Sequence, residues 1–230
     1  MTTARLIPNV ERRLSGWVNV HDRLSQQRGG AHPTITISRQ FGCEAYPLAE
    51  RLQQLLEARG GGHWAVVDKA LLERVSAETH LSERLLGRLG DESQALDVLS
   101  SVIPGWTTHE EAYEILARYV VRIARDGNAI IVGRGGAVLT QTLPNCFHFR
   151  LEAPHDSRVA SIARRMGVTE AEADAVVAEH QAGRERFIER FLHCSIADTR
   201  YYHAVFNTAK SPLERIAASI LDLVPEKLPA

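Results

Sequence analysis

The sequence of 230 residues predicts an α/β fold with a mainly parallel sheet. Three observations carry this. Short β-branched or apolar runs recur at 34–38, 64–67, 129–132, 146–151 and 204–207, each of strand length. Apolar residues between them recur at helical spacing. Glycine and proline punctuate the joins, most plainly at Gly60-Gly61-Gly62 and Pro104-Gly105. Strands alternating with helices require crossover connections, and those lay strands parallel.

The first strand is read at Thr34-Ile35-Thr36-Ile37-Ser38. Leu48, Leu52, Leu55 and Leu56 mark one face of the helix that follows, which the triple glycine ends. Trp64-Ala65-Val66-Val67 makes a second strand closed by Asp68. Short helices are expected over 69–106, and a longer one from His109 to Arg125 buries Tyr113, Leu116, Val120 and Ile123. Ala129-Ile130-Ile131-Val132 is continuously apolar, as a strand covered on both faces should be. A fourth strand runs from Cys146 to Leu151. A charge-rich helical region covers 154–192, a fifth strand 204–207, and a closing helix 212–223. Residues 1–30 read as a helical extension, with Leu14, Trp17, Val18 and Leu24 as its stripe. That extension is either packed on the domain or a route to homo-oligomers.

Composition narrows the function classes. A net charge of −1 lacks the basic excess of a general nucleic-acid binder, but it leaves room for a local arginine cluster. Three cysteines with no C-x-x-C pair argue against a disulfide framework or zinc ribbon and point to a reducing cytoplasm. No apolar run reaches the ~18 residues of a membrane span. Ten histidines show no metal-ligand spacing, so no metal site is expected from the chain's own residues.

Parallel sheets bind ligands beyond the carboxyl ends of their strands. That rule selects Ser38 to Tyr46, Asp68-Lys69, Gly133 to Gly136, and Asn207-Thr208. The first of these is Ser38-Arg39-Gln40-Phe41-Gly42-Cys43-Glu44-Ala45-Tyr46. It joins strand to helix where phosphate loops lie, yet lacks the G-x-x-x-x-G-K-[ST] pattern. An ordinary connection, with Pro47 in the first helical turn, is the other reading. In Gly133-Arg134-Gly135-Gly136 the glycines permit close approach and the arginine offers a planar fork of donors for phosphate. The competing reading is a tight turn with an exposed arginine. Arg184, Arg186 and Arg190 either bring positive charge to a phosphoryl group or pair with Glu185 and Glu189 on a solvated helix. Asp68 serves as a ligand contact, as a helix N-cap, or as both.

Taken in order, Ile35 to Gly42, Val67-Asp68-Lys69, Ile131 to Gly136, Arg184-x-Arg186-Phe187 and Tyr202 to Thr208 resemble the cytidylate kinase-like family over roughly 34–222. The resemblance implies a three-layer P-loop kinase fold with a five-stranded parallel core. It also implies a substrate-binding insertion at 69–106, a lid at 165–195, and a kinase-like domain spanning 31–230. It further implies nucleotide ligands, with ATP and Mg²⁺ as cofactors and CMP or a related monophosphate as acceptor. Arg134 would bind substrate phosphate, Arg184 and Arg186 would close over the transferring group, and Asp68 would face the acceptor. Ser38, Arg39, Phe41, Gly42, Cys43, Glu44, Ala45, Tyr46, Gly133 and Gly135 would surround the phosphates. This chain departs from the family pattern where Glu44, Ala45 and Tyr46 replace two glycines and an arginine. It departs again at Gln181, where an acidic residue is usual. Those departures leave a non-catalytic nucleotide sensor on the same fold as the alternative to a kinase, with a purely structural module as a third reading.

Overall fold

Strand β1 (Thr34–Arg39) sets the two faces of the sheet by simple alternation. Ile35 and Ile37 point one way, Thr34, Thr36 and Ser38 the other, and all five are buried. The structure, a computed structural model, describes residues 32–60, 62–68 and 109–225, so the expectations for residues 1–30 and 69–106 lie outside the described residues. The described chain runs on through α1 (Ala45–Ala58), β2 (Ala65–Val67), α2 (His109–Asp126), β3 (Ala129–Val132) and α3 (Gly136–Leu139). It continues with β4 (Cys146–Glu152), α4 (His155–Met166), α5 (Glu170–Leu192), a 3₁₀ turn at Thr199–Tyr201, β5 (Ala204–Asn207) and α6 (Leu213–Leu223).

The strands lie in the order β2-β3-β1-β4-β5 and every pairing is parallel. In-register neighbours keep the faces distinct: Ile37 pairs with Val132 and with Phe149, Thr36 with Ile131 and with His148. The Ile35/Ile37 face meets Leu48 and Leu52 of α1 and Ile216 and Ile220 of α6 in one apolar core. The helical periodicity of 48–56 and 213–223 therefore has a direct cause, since each helix spends its apolar stripe on this sheet. The Thr34/Thr36 face is more polar and each hydroxyl has a partner. Thr34 Oγ1 donates to the Ala124 carbonyl at 2.9 Å, and Thr36 Oγ1 lies 2.9 Å from His148 Nδ1.

The helical region expected at 154–192 divides in two. Gly167 ends α4 in the left-handed conformation, and Thr169 opens α5 with a capping box to Glu172. Helices α4 and α5 bury Val159, Ile162, Ala173 and Val177 against each other, with Phe41 of the loop after β1 packed on that cluster. Helix α3 and the 3₁₀ turn are too short for periodicity to reveal them.

Gly127 makes the turn from α2 into β3 at φ +80°, and a Cβ there would lie 2.3 Å from the His32 carbonyl oxygen. Gly127→Ala is expected to destabilise the protein by roughly 2–4 kcal/mol through strain and overlap together. The readout is a lower urea midpoint at unchanged slope. An unchanged midpoint would contradict the packing of this turn.

Candidate active site

Because β2, β3 and β1 are neighbours, their carboxyl ends bring Asp68, Gly133–Gly135 and the loop after β1 together. Helix α5 covers them, enclosing a cleft of about 810 Å³. Ser38, Arg39, Phe41, Gly42, Cys43, Ala45, Tyr46, Asp68, Gly133, Arg134, Gly135, Arg184 and Arg186 all border it. Glu44 is the exception among the expected phosphate-loop residues. It lines a separate cavity of about 320 Å³ with Ser161, Arg164 and Thr208, so Thr208, just past the end of β5, belongs to that smaller cavity.

Three guanidinium groups give the cleft its character. Arg39 passes directly beneath Gly133, where a Cβ would lie 2.0 Å from Nη1, and Gly133 has φ +82°. Glycine is required there by both space and conformation. Arg134 itself adopts φ +57°, its carbonyl accepts from the Tyr113 hydroxyl at 3.3 Å, and its guanidinium stands 4.6 Å over the Phe187 ring. Arg184 stands 4.9 Å over the Phe41 ring. Burial first, then the charges of Arg184 and Arg134, push the Arg39 pKa down to about 9, against a smaller opposing pull from Asp68. Burial and the charge of Arg134 likewise push Arg184 down to about 10. Among the described residues Arg184 Nη1 is buried without a hydrogen-bond partner. A buried, charged, unsatisfied donor is costly, and an anion in the cleft relieves it.

Arg186 does not join this group. Helix α5 runs unbroken through Gly183, and residues two apart on a helix point about 200° apart. Arg184 therefore faces the cleft while Arg186 is exposed at its rim, as Arg190 is on its own turn. The face of α5 that meets the site carries His180, Arg184, Phe187 and Phe191, a regular i, i+4, i+7, i+11 stripe. That stripe was the signal for the aromatic wall, in which Tyr113 packs edge-on to Phe187 at 5.0 Å. Charge alone drew attention to Arg186 instead.

The loop after β1 is not an open phosphate cradle. Its N–H groups at Gln40, Phe41, Cys43 and Ala45 donate respectively to the Leu151 carbonyl, Gln181 Oε1, the Gln40 carbonyl and the Cys43 carbonyl. Arg158 holds the loop from below through Nη1 to the Phe41 carbonyl at 3.3 Å. The Glu44 carboxylate does not cap α1; it accepts from Ser161 Oγ at 3.5 Å and lies 3.9 Å from Arg164. Burial raises the Cys43 thiol above its ordinary pKa, so it is no activated nucleophile. Among the described residues no group of three His, Cys, Asp or Glu side chains could hold a metal ion. Magnesium in phosphoryl-transfer sites is held by one or two carboxylates together with substrate phosphates, and Asp68 and Glu179 are the carboxylates that border this cleft. Among the described residues no helix is long and apolar enough to cross a membrane.

A parallel sheet of order 2-3-1-4-5 with an arginine-lined cleft at its carboxyl edge defines an α/β protein of the P-loop kinase type. More particularly, the chain belongs to the cytidylate kinase-like family, whose sequence profile matches residues 34–210, and is nucleotide kinase-like in that sense. No curated protein sequence matches it. Among solved structures, an uncharacterized protein from Eubacterium ventriosum ATCC 27560 superposes with a TM-score of 0.64 at 16% identity, covering 84% of this chain and 98% of that one. Shikimate kinase from Bacteroides thetaiotaomicron matches with a TM-score of 0.44 at 11% identity, over 83% and 97% of the two chains. At such identities the first likeness speaks to fold alone.

Proposed function

We propose that the cleft binds a nucleotide through its phosphate, and that the protein transfers a phosphoryl group from ATP to a nucleoside monophosphate such as CMP. The observation that carries this is the convergence of Arg39, Arg134 and Arg184, with Arg184 Nη1 buried and unpartnered. Phosphoryl transfer depends on positioning and on neutralising charge spread over the equatorial oxygens. Arg134 holds the acceptor phosphate from the β3 loop. Arg184 reaches the transferring group from the lid that 165–195 supplies. Arg39, fixed under Gly133, adds charge from β1. Asp68, 3% exposed at the end of β2, faces the acceptor and limits the repulsion within the cluster. Tyr113, Phe187 and Phe191 supply the apolar wall that excludes water.

The loop itself supports a second reading, a nucleotide sensor without turnover. Four of its amides, those of Gln40, Phe41, Cys43 and Ala45, are already engaged, and Glu44 adds a negative charge beside it. A thermal-shift screen with ATP, GTP and the common monophosphates, followed by an ADP-release assay, separates the two. Ligand at ~100 times its dissociation constant adds about 2.7 kcal/mol, a readily measured shift. A shift with ATP and one monophosphate, with ADP released only when both are present, is the expected result. A shift without turnover selects the sensor, and no shift with any nucleotide rejects both. Arg134→Ala is expected to lower turnover about 10²–10³-fold, the usual loss for one preorganised charge contact. Turnover that survives this change would exclude the assigned site.

A further inference from the structure

One donor of the loop after β1 is occupied by a side chain of the helix above it. Gln181 Oε1 accepts the Phe41 N–H at 2.9 Å, and the same side chain is held from behind by its Nε2, which donates to Glu185 Oε1 at 2.7 Å. The Phe41 ring is gripped by the same helix. It stacks on His180 at 4.6 Å and 18°, and the Arg184 guanidinium stands 4.9 Å from its centre. The ring edge packs into the Val159–Ile162–Ala173–Val177 cluster between α4 and α5. His180, Gln181 and Arg184 of α5 thus converge on one loop residue.

We propose that Gln181 is an internal latch whose amide carbonyl occupies the loop donor that a ligand phosphate oxygen would take, so that phosphate and Gln181 compete for the Phe41 N–H. The inference rests on the reading that the cleft binds phosphate. An amide carbonyl is a neutral acceptor of the same kind as a phosphate oxygen, without its charge. It fills the site without discharging the arginines, which is consistent with Arg184 Nη1 remaining unpaired in the latched state. A bound phosphate gains both the amide and the guanidiniums, so it displaces a neutral competitor, and the latch lowers its apparent affinity by the latched fraction. By reciprocity, ligand binding loosens α5 from the loop. Gln181 thereby couples loop occupancy to the position of the helix bearing Arg184.

The test uses the full chain, inorganic pyrophosphate as probe, and two variants. Calorimetry gives the pyrophosphate dissociation constant, and amide hydrogen exchange reports the Phe41 N–H without ligand. Gln181→Ala is expected to speed Phe41 exchange and to tighten pyrophosphate binding about two- to tenfold, the range one net hydrogen bond covers. Gln181→Met keeps the length of the side chain without the carbonyl acceptor, so faster exchange and tighter pyrophosphate binding are expected again. This variant preserves the test if alanine disturbs the fold. If the unmodified protein binds pyrophosphate and Gln181→Ala binds it no tighter, the latch is wrong while the phosphate site stands. Pyrophosphate binding by none of the three proteins overturns both together. Unchanged Phe41 exchange in Gln181→Ala also overturns the latch.

Discussion

Arg184→Met is expected to raise the melting temperature of the ligand-free protein while abolishing its response to nucleotides. The first half follows from the electrostatics of the empty cleft. Arg184 is desolvated, stands among like charges from Arg134 and Arg39, and has a buried Nη1 that no group among the described residues satisfies. Replacing buried ionic groups with apolar side chains of similar volume ranges from neutral to stabilising by about 1–4 kcal/mol, and the half-buried Arg184 belongs at the lower end of that range. Methionine keeps the stem against the Phe41 ring, so little packing is lost. For a chain of this size, each kcal/mol shifts the melting temperature by about 2–4 °C. The second half follows from the same facts, because the guanidinium that costs stability alone is the one an anion would pair with. Functional groups held at such a cost are where stability and activity trade against each other. Differential scanning calorimetry with and without nucleotide reads both halves at once. A lower melting temperature without ligand would mean that Arg184 is a structural brace, and an undiminished nucleotide shift would remove it from the site.

Acid should weaken the fold in a window set by His148. This residue lies on the polar face of the sheet, 5% exposed, with Nδ1 2.9 Å from Thr36 Oγ1. Its backbone N–H donates to His203 Nδ1 at 2.9 Å, and the His203 ring stands 5.4 Å away. Burial, and then the charge of His203, push its pKa down to about 4 from 6.5. The folded protein therefore holds this imidazole neutral where the unfolded chain already protonates it. Its contribution is fully present above pH ~6.5, falls between about 6.5 and 4, and is flat below that. A depression of this size corresponds to about 3 kcal/mol across the window. Urea midpoints at pH 7 and pH 4.5 measure the loss, and His148→Leu isolates it from the carboxylates that titrate nearby. The leucine variant should be less stable at pH 7, because Thr36 loses its partner, but its stability should fall less between the two pH values. Parallel pH profiles for the two proteins would rule out His148 as the group responsible.

Much of the fold was legible because it rests on local periodicity. Alternation in Thr34–Ser38, the apolar run at 129–132 and the leucine stripe of 48–56 each carry a period that only one secondary structure buries well. The rule that sites follow strand ends then placed Asp68, Gly133–Gly135 and the loop after β1 at one edge of the sheet. The reading of the lid by charge was less complete. It passed over the stripe of His180, Phe187 and Phe191, and the family resemblance grouped Arg184 with Arg186, which the unbroken helix sets on different sides. Glu44 was expected beside a phosphate and instead faces Ser161 and Arg164, because α4 lies directly behind the loop.

What the sequence by itself determined was the succession of strands and helices among the described residues, the parallel sheet, and which strand ends meet at one edge of it. These depend on periods of two and 3.6 residues and on the chirality of crossovers, all of which are properties of neighbouring residues in the chain. Only the tertiary structure decided that Arg39, Arg134 and Arg184, up to 145 positions apart by their own numbering (184 − 39), share one desolvated cleft, and that Gln181 closes the loop between them. Desolvation and competition for a hydrogen-bond donor depend on what packs across space, and no local pattern encodes that.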